Sequence, residues 1–178
     1  GDLEATRDHL KRARALARQT GSLASELFYG AAEAAWATTA GDLDYVNREL
    51  SVLGELYEQA SRPGGAGLVL DRVRATLHRA RGEWNEAAAA FRELRRTCQE
   101  LGALQDLWGV NCELARALME TDDFEEAVAA VDEALDLAKR TTDIAGYMQA
   151  EIMVYWPAQD GYDYPFQIDH RKRLDDLV

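Results

Sequence analysis

Four short stretches of the sequence decide the fold: Gly1-Asp2-Leu3, Gly41-Asp42-Leu43, Gly82-Glu83-Trp84 and Asp122-Asp123-Phe124. Their first residues lie 40, 41 and 40 positions apart. Each stretch places a turn-forming residue before an acid and a large apolar residue, and a helical pattern follows. A fixed period of this length is typical of stacked helical hairpins, because a single hairpin cannot bury both of its apolar faces. We therefore predict an all-α protein, a right-handed α-solenoid of about four helical hairpins.

The repeat extends from these turns into the helices that follow them. When Leu3 is aligned with Phe124, Leu10 falls on Val131, and further apolar and small positions agree. Small residues at Ala34, Ala87 and Ala127 are expected where two helix backbones approach closely. The apolar spacing predicts amphipathic helices. They are expected over residues 2–19, 23–40, 42–60, 66–81, 83–101, 104–121, 123–141 and 143–156.

The periodic pattern divides the chain into a solenoid over residues 1–156 and a tail or cap over residues 157–178. Residues 1–19 correspond to the second helix of a hairpin, so the solenoid starts mid-repeat. We expect a piece of a longer polypeptide, with a divergent amino-terminal cap as the alternative. The tail carries Tyr162, Tyr164 and Phe166. These rings are expected to dock on an apolar face left open by the last hairpin or by a partner chain, because a solenoid needs a cap.

Turn and capping residues mark the predicted helix ends. Acids stand at four helix starts, where they can accept free backbone N–H groups and favour the positive end of the helix dipole: Asp2, Asp42, Glu83 and Asp123. Glycine marks helix ends at Gly21 and Gly102. Residues 63–67, Pro-Gly-Gly-Ala-Gly, predict a long turn between two hairpins. A phosphate-binding loop is disfavoured there, because a helix precedes the segment and no Lys-Ser or Lys-Thr follows it.

Composition and charge narrow the classes of function. The 178 residues are 47% hydrophobic and 29% charged, with a net charge of −12. Such an acidic chain repels phosphate backbones at long range, so no nucleic acid is expected on this domain. No apolar run reaches the roughly 18 residues of a membrane span, and the amino terminus lacks the order of a secretory signal. We expect no membrane partner and a cytoplasmic location, with Cys98 and Cys112 as structural thiols.

No group of residues predicts catalysis. His9, His78 and His170 are scattered, with His9 expected to face solvent and His78 to be a core or interfacial residue. No HExxH sequence or paired cysteines indicate a metal, and no serine lies in a nucleophile-elbow sequence. The expectation is no enzyme, no catalytic residue, no metal and no cofactor.

Residues 113–127, Glu-Leu-Ala-Arg-Ala-Leu-Met-Glu-Thr-Asp-Asp-Phe-Glu-Glu-Ala, resemble a tetratricopeptide repeat. Leu114, Ala115, Phe124 and Ala127 match the pattern of that family one by one, and the resemblance covers about residues 1–156. The period near 40 exceeds the usual 34 or so residues. The leucine of the first helix is replaced by Glu33 and Arg74 in two earlier copies. Longer repeats of this kind resemble those of large bacterial signalling proteins, such as transcriptional activators of the MalT/LuxR type.

The resemblance implies a noncatalytic protein- or peptide-binding scaffold, a fragment of a larger bacterial regulatory or signalling protein. The alternative is an effector-sensing module, in which a small ligand or peptide shifts the packing between repeats. A protein or peptide is the expected partner, with a homodimer through the carboxy-terminal end as a further option. In such arrays the first helices line the concave surface. Candidates for partner binding there are Phe28, Ala35, Thr38, Arg72, Arg79, Arg116, Met119, Met148, Glu151 and Tyr155.

The three arginines among these candidates suggest a basic strip on an acidic molecule. Arg72, Arg79 and Arg116 would suit a peptide with an acidic residue or a terminal carboxylate, because guanidinium groups pair well with carboxylates. The open alternative is that these arginines pair with neighbouring glutamates of the chain itself.

Overall fold

The computed structural model describes the backbone of residues 3–60 and 64–140 and the side chains of residues 5–60 and 65–140. This part of the chain contains helices and no strands, so the prediction of an all-α protein is confirmed. The helices are α1 (Leu3–Gln19), α2 (Leu23–Thr39), α3 (Leu43–Gln59), α4 (Gly64–Ala80), α5 (Trp84–Leu101), α6 (Leu104–Met119) and α7 (Phe124–Arg140). The predicted helix over 143–156 and the tail over 157–178 lie outside the described residues.

One turn geometry recurs between the helices and explains the repeated sequence signal. After α2, the amide of Gly41 donates to the carbonyl of Thr38 at 3.1 Å, and the amide of Asp42 donates to that of Ala37 at 3.0 Å. This pair of bonds is the Schellman motif, whose second-last residue takes a positive φ. Glycine fills that position at Gly21, Gly41, Gly82 and Gly102, and Asp122 fills it before α7 with φ of 61°. The turn is therefore encoded locally, within a few residues.

The residue after each positive-φ position immediately precedes the next helix, so α3, α5 and α7 begin one residue after their predicted starts at Asp42, Glu83 and Asp123. Asp42 is a side-chain N-cap, because its Oδ1 accepts the amide of Tyr45 at 3.2 Å. At Glu83 the backbone carbonyl accepts the amide of Ala87, but the carboxylate lies 2.6 Å from Nδ1 of His78 instead. Asp42 and Glu83 thus hold the same place before a helix, but only the side chain of Asp42 caps the helix that follows.

Helix α4 begins earlier than predicted. Residues 63–67 were expected to form a long turn, but α4 already begins at Gly64. Glycine permits helical as well as turn conformations, so a glycine-rich segment does not by itself fix the first residue of a helix. Within α4, a Cβ added at Gly67 would lie 2.7 Å from the hydroxyl of Tyr57, so glycine there lets the tyrosine ring of α3 approach the α4 backbone.

The chain forms two compact units, residues 1–90 and 91–178, and the boundary falls inside α5. In unit 1, α2 packs against α1, α3 and α4. Its core contains Leu27, Ala31, Ala34, Ala37, Val46, Leu53, Leu70, Val73 and Leu77. In unit 2, α6 packs against α7. The expected close-packing positions Ala34, Ala87 and Ala127 are all buried. The handedness of a solenoid stays a prediction.

Among the described helices, none combines the length and the apolar character that crossing a lipid bilayer requires.

Candidate functional site

Helix α2 has an inverted distribution of charge. Its 17 residues include two charged side chains, Glu26 and Glu33, and both are buried. The opposite side of the helix carries Ala24, Phe28, Ala32, Ala35 and Thr39, which share one face at helical spacing. We call these five residues the α2 face. Four of them are exposed and Ala32 is half-buried, so this surface presents no charge to solvent.

Phe28 is the largest side chain of the α2 face. It is 57% exposed, and its ring meets that of Tyr29 edge to face, with the ring centroids 5.5 Å apart. The ring therefore lies on a helix face without charge, in a chain in which 29% of residues are charged. The face combines this ring with three alanines and no charge, which is the composition that the core of a protein interface favours.

The buried acids of α2 face basic residues of α1. Nη1 of Arg14 lies 3.4 Å from Oε2 of Glu33, and its Nη2 bonds to Oε1 of Glu49 on α3. The three side chains are only 7%, 5% and 12% exposed. Near the end of α1, Nε of Arg18 lies 2.6 Å from Oε1 of Glu26. One guanidinium therefore joins three helices of unit 1 through two buried carboxylates.

Gly30 has no side chain, and the guanidinium of Arg14 packs in the space that a side chain there would fill. A Cβ added at Gly30 would lie 2.5 Å from Cδ2 of Leu53, 3.1 Å from Cζ of Arg14 and 3.2 Å from its Nε. This Nε is buried and has no hydrogen-bond acceptor among the described residues. The guanidinium is therefore packed against the bare backbone of α2 on one side and bonded to carboxylates through its two terminal nitrogens.

Burial and charge shift the titration of this cluster. Burial alone would lower the pKa of Arg14, but the hydrogen bond to Glu49 and the charges of Glu49 and Glu33 outweigh it and raise the pKa. Burial, followed by the charges of Glu49 and Glu33, strongly raises the pKa of Tyr45. The tyrosine hydroxyl therefore stays protonated at neutral pH.

A cavity of about 340 Å³ opens beside this cluster, between α1, α2 and α3. It is lined by Lys11, Arg14, Ala15, Arg18, Glu33, Tyr45 and Glu49. The four lining residues on α1 are spaced by three and four positions and therefore form one stripe of the helix: Lys11, Arg14, Ala15 and Arg18. The exposed residues Lys11 and Arg18 stand on either side of the buried Arg14 along this stripe.

The residues predicted to bind a partner fall in different environments. Phe28 and Ala35 are exposed on α2, but Thr38 is buried and its hydroxyl donates to the carbonyl of Ala34 at 2.9 Å. Thr38 is therefore not available to a partner, because its side chain points into the packed side of the helix. Tyr155, Met148 and Glu151 lie outside the described residues.

The arginines of the predicted basic strip belong to both units. Arg72, which is exposed, and Arg79, which is half-buried, lie on α4 in unit 1. Arg116 and Met119 are half-buried on α6 in unit 2. Nη1 of Arg116 lies 3.8 Å from Oε2 of Glu113, which is the neighbouring-glutamate pairing left open by the sequence. A continuous strip through all three arginines stays a prediction.

The cluster around Arg14 was not predicted from the sequence. The available signal was Glu33, an acid at the first-helix position that carries a leucine at Leu114. Arg14, to which Glu33 is bonded, is 19 residues away from it, and Glu49, the second carboxylate bonded to Arg14, is 16 residues away, so no local spacing connects the three residues.

The histidines and cysteines have ordinary structural environments. His9 is exposed, as expected, and His78 is half-buried beside Glu83. Cys98 and Cys112 are both buried thiols, as expected of structural cysteines. Within residues 5–60 and 65–140, no three histidine, cysteine, aspartate or glutamate side chains meet in a group that could hold a metal ion.

No protein-family model matches the chain, and no curated protein matches it. Its function must therefore be inferred from its own residues and their geometry.

Proposed function

We propose that the chain is a noncatalytic protein- or peptide-binding module of the tetratricopeptide-repeat type. The observation that carries this proposal is the α2 face, an uncharged surface with an exposed phenylalanine on a chain of net charge −12. Interface cores are depleted of charge and enriched in aromatic residues, and a few aromatic anchors supply most of the binding energy. Phe28 is the anchor in this proposal.

The resemblance to tetratricopeptide repeats supports the choice of surface. In those arrays the first helix of each hairpin lines the binding surface, and α2 holds the first-helix place in the sequence repeat. On the same basis we propose that the chain belongs to a larger bacterial regulatory or signalling protein in the cytoplasm. Arg72, exposed on the neighbouring helix α4, remains a candidate for contact with an acidic residue of the partner.

Selection from a displayed library of random peptides tests this proposal. We expect peptides rich in aromatic and aliphatic residues to be enriched on the wild-type chain. A Phe28→Glu variant should lose them, because it places a charge in the centre of the face. The matched control is Val52→Glu on α3, where the valine is 44% exposed and lies outside the α2 face; this variant should keep them. Equal binding to both variants, or no enrichment, contradicts the proposal.

An effector-sensing module is the second candidate. The observation that favours it is the cavity between α1, α2 and α3, because a ligand bound there would contact three helices of unit 1 at once. A ligand shifts packing only as far as it binds one arrangement of these helices better than another.

A further inference from the structure

The inner part of the cavity has an excess of negative charge. Two carboxylates, Glu33 and Glu49, share the single guanidinium of Arg14, and Tyr45 adds a neutral hydroxyl. Among the described residues, Arg14 donates a hydrogen bond to each of these carboxylates. Each ionised carboxylate offers about four acceptor positions, so most remain unused. Such a group favours a cationic ligand with several N–H donors.

The rim of the cavity has the opposite charge. Lys11 and Arg18 are exposed and stand on the same stripe of α1 as Arg14. Arg18 is bonded to Glu26, which partly neutralises it, whereas Lys11 forms no ion pair with a described residue. An ammonium group on a flexible stem at the rim can reach an anionic group of a ligand seated in the cavity.

We propose that this cavity binds a free α-amino acid. The ammonium group of the ligand contacts the oxygens of Glu33 and Glu49 that Arg14 leaves unused, and its carboxylate lies toward Lys11 and Arg18. An ammonium carries three donors and no acceptor, which complements the unused carboxylate oxygens. The volume of about 340 Å³ is near the lower end of small-molecule sites, roughly 300–1,000 Å³. Ala15 and the ring of Tyr45 supply its apolar lining, so a small or polar side chain fits best.

The amino-acid site does not depend on peptide binding by the α2 face. Only the effect of the bound amino acid on helix packing rests on the second candidate function, the effector-sensing module. If an amino acid binds without altering the packing of α1, α2 and α3, the site stands and the sensing function fails. Chemical shifts of backbone amides away from the cavity distinguish these results.

Calorimetric titration of the full chain with each of the standard free amino acids tests the proposal. We expect at least one small or polar amino acid to bind. Its N-acetyl derivative, which lacks the ammonium group, should bind roughly tenfold or more weakly, because a hydrogen bond to a charged group is lost. The corresponding amine without a carboxylate should also bind more weakly. Absence of binding by every amino acid, or equal binding of the acetylated form, overturns the proposal.

Two variants that leave the buried charges intact locate the site. Ala15→Leu places a larger side chain at the cavity wall and should abolish binding, whereas Ala89→Leu at an exposed position of α5 should not. Lys11→Met should weaken binding of the amino acid but not of the matching amine, because only the amino acid has a carboxylate. Arg12→Met is its control, an exposed residue of α1 outside the cavity lining. Unchanged binding in Ala15→Leu would place the ligand elsewhere and overturn the assignment.

Discussion

At the scale of single residues, the packing around Arg14 departs most from the repeat. In the sequence alignment, Arg14 corresponds to Leu135 and Glu33 corresponds to Leu114. Both leucines are buried, so α1 and α2 carry charges at positions that are apolar in the later copies. A buried ion pair is weak evidence for stability, because desolvation offsets much of the attraction. Its retention in unit 1 is consistent with a ligand site.

Removing the shared cation should destabilise unit 1. Arg14→Leu leaves Glu33 and Glu49 buried without a counter-charge, which costs about 3 kcal/mol or more of unfolding free energy. Urea denaturation measures this change, with Arg12→Leu as a control expected to stay within about 0.5 kcal/mol. The triple variant Arg14→Leu, Glu33→Leu, Glu49→Ala installs the residues of the later copies and should recover most of the loss. A triple variant as unstable as Arg14→Leu would contradict this account.

Two glycines should respond to alanine with opposite signs. Gly30→Ala places a methyl group against Leu53 and Arg14 and should destabilise the protein by about 1–3 kcal/mol. At Gly54 on α3, the nearest atom to an added Cβ is 4.0 Å away, on Arg74. Gly54→Ala should therefore stabilise the helix by about 0.5–1 kcal/mol. Thermal unfolding of both variants tests the pair. A higher midpoint for both would show that helix propensity alone decides the effect, and a lower midpoint for both would contradict the expectation at Gly54.

At the scale of elements, ion pairs join helices that are two apart in the chain. Nε of Arg92 on α5 lies 2.9 Å from Oε2 of Glu126 on α7, and its Nη2 lies 3.1 Å from Oδ2 of Asp123. Two turns later on α5, Nε2 of Gln99 donates to Oε1 of Glu133 at 3.1 Å. Both side-chain links span 34 residues, so α5 between Arg92 and Gln99 keeps one register with α7 between Glu126 and Glu133.

The link to Glu126 should produce a small dependence of stability on pH. The hydrogen bond from Arg92 lowers the pKa of Glu126 below its ordinary value. Its contribution is therefore present above the ordinary pKa of about 4.3 and is lost as the pH falls through the lower value of the folded protein. Because the pair is partly exposed, the contribution is at most about 1 kcal/mol.

Denaturation of the wild type and Glu126→Gln across the acidic range measures this contribution. The difference in unfolding free energy should be constant near neutral pH and should vanish below the lowered pKa. Glu125→Gln, at an exposed position on the same turn, is the control and should show no such change. A difference between the wild type and Glu126→Gln that persists at low pH would contradict the role of the ion pair.

The close packing of α7 sets a limit on side-chain size. Ala127 is 1% exposed, so Ala127→Leu forces additional methylene groups into a filled space and should cost about 1–3 kcal/mol. Ala129→Leu, two residues further on the exposed side of α7, should leave the midpoint of thermal unfolding nearly unchanged. Equal midpoints for the two variants would mean that the repeat register assigned to Ala127 is wrong.

At the scale of the whole molecule, the acidic net charge determines which charged molecules bind favourably. With a net charge of −12, the chain attracts basic partners and repels polyanions at long range. We expect no binding of random-sequence duplex or single-stranded DNA in fluorescence anisotropy, even at about 0.01 M salt, where screening is weakest. Binding that weakens steeply with salt would reveal a basic surface strong enough to overcome the net charge.

The sequence by itself determined the helices and the turns between them. The Schellman turns at Gly21, Gly41, Gly82, Gly102 and Asp122 use bonds between residues only a few positions apart, so local composition encodes them. For the same reason, every described helix that ends at one of these turns ends within two residues of its prediction. The burial of Ala34, Ala87 and Ala127 also followed from their place in the repeat.

Tertiary structure alone decided the features that depend on distant residues. The close approach of Tyr57 to Gly67 joins α3 to α4, and the cavity depends on Arg14 meeting acids from two other helices. Thr38 looked like a surface residue in the repeat, yet its side chain lies in the packed side of α2. Periodicity reports which helix face is apolar, but which polar side chain can be buried depends on whether another helix supplies its partner.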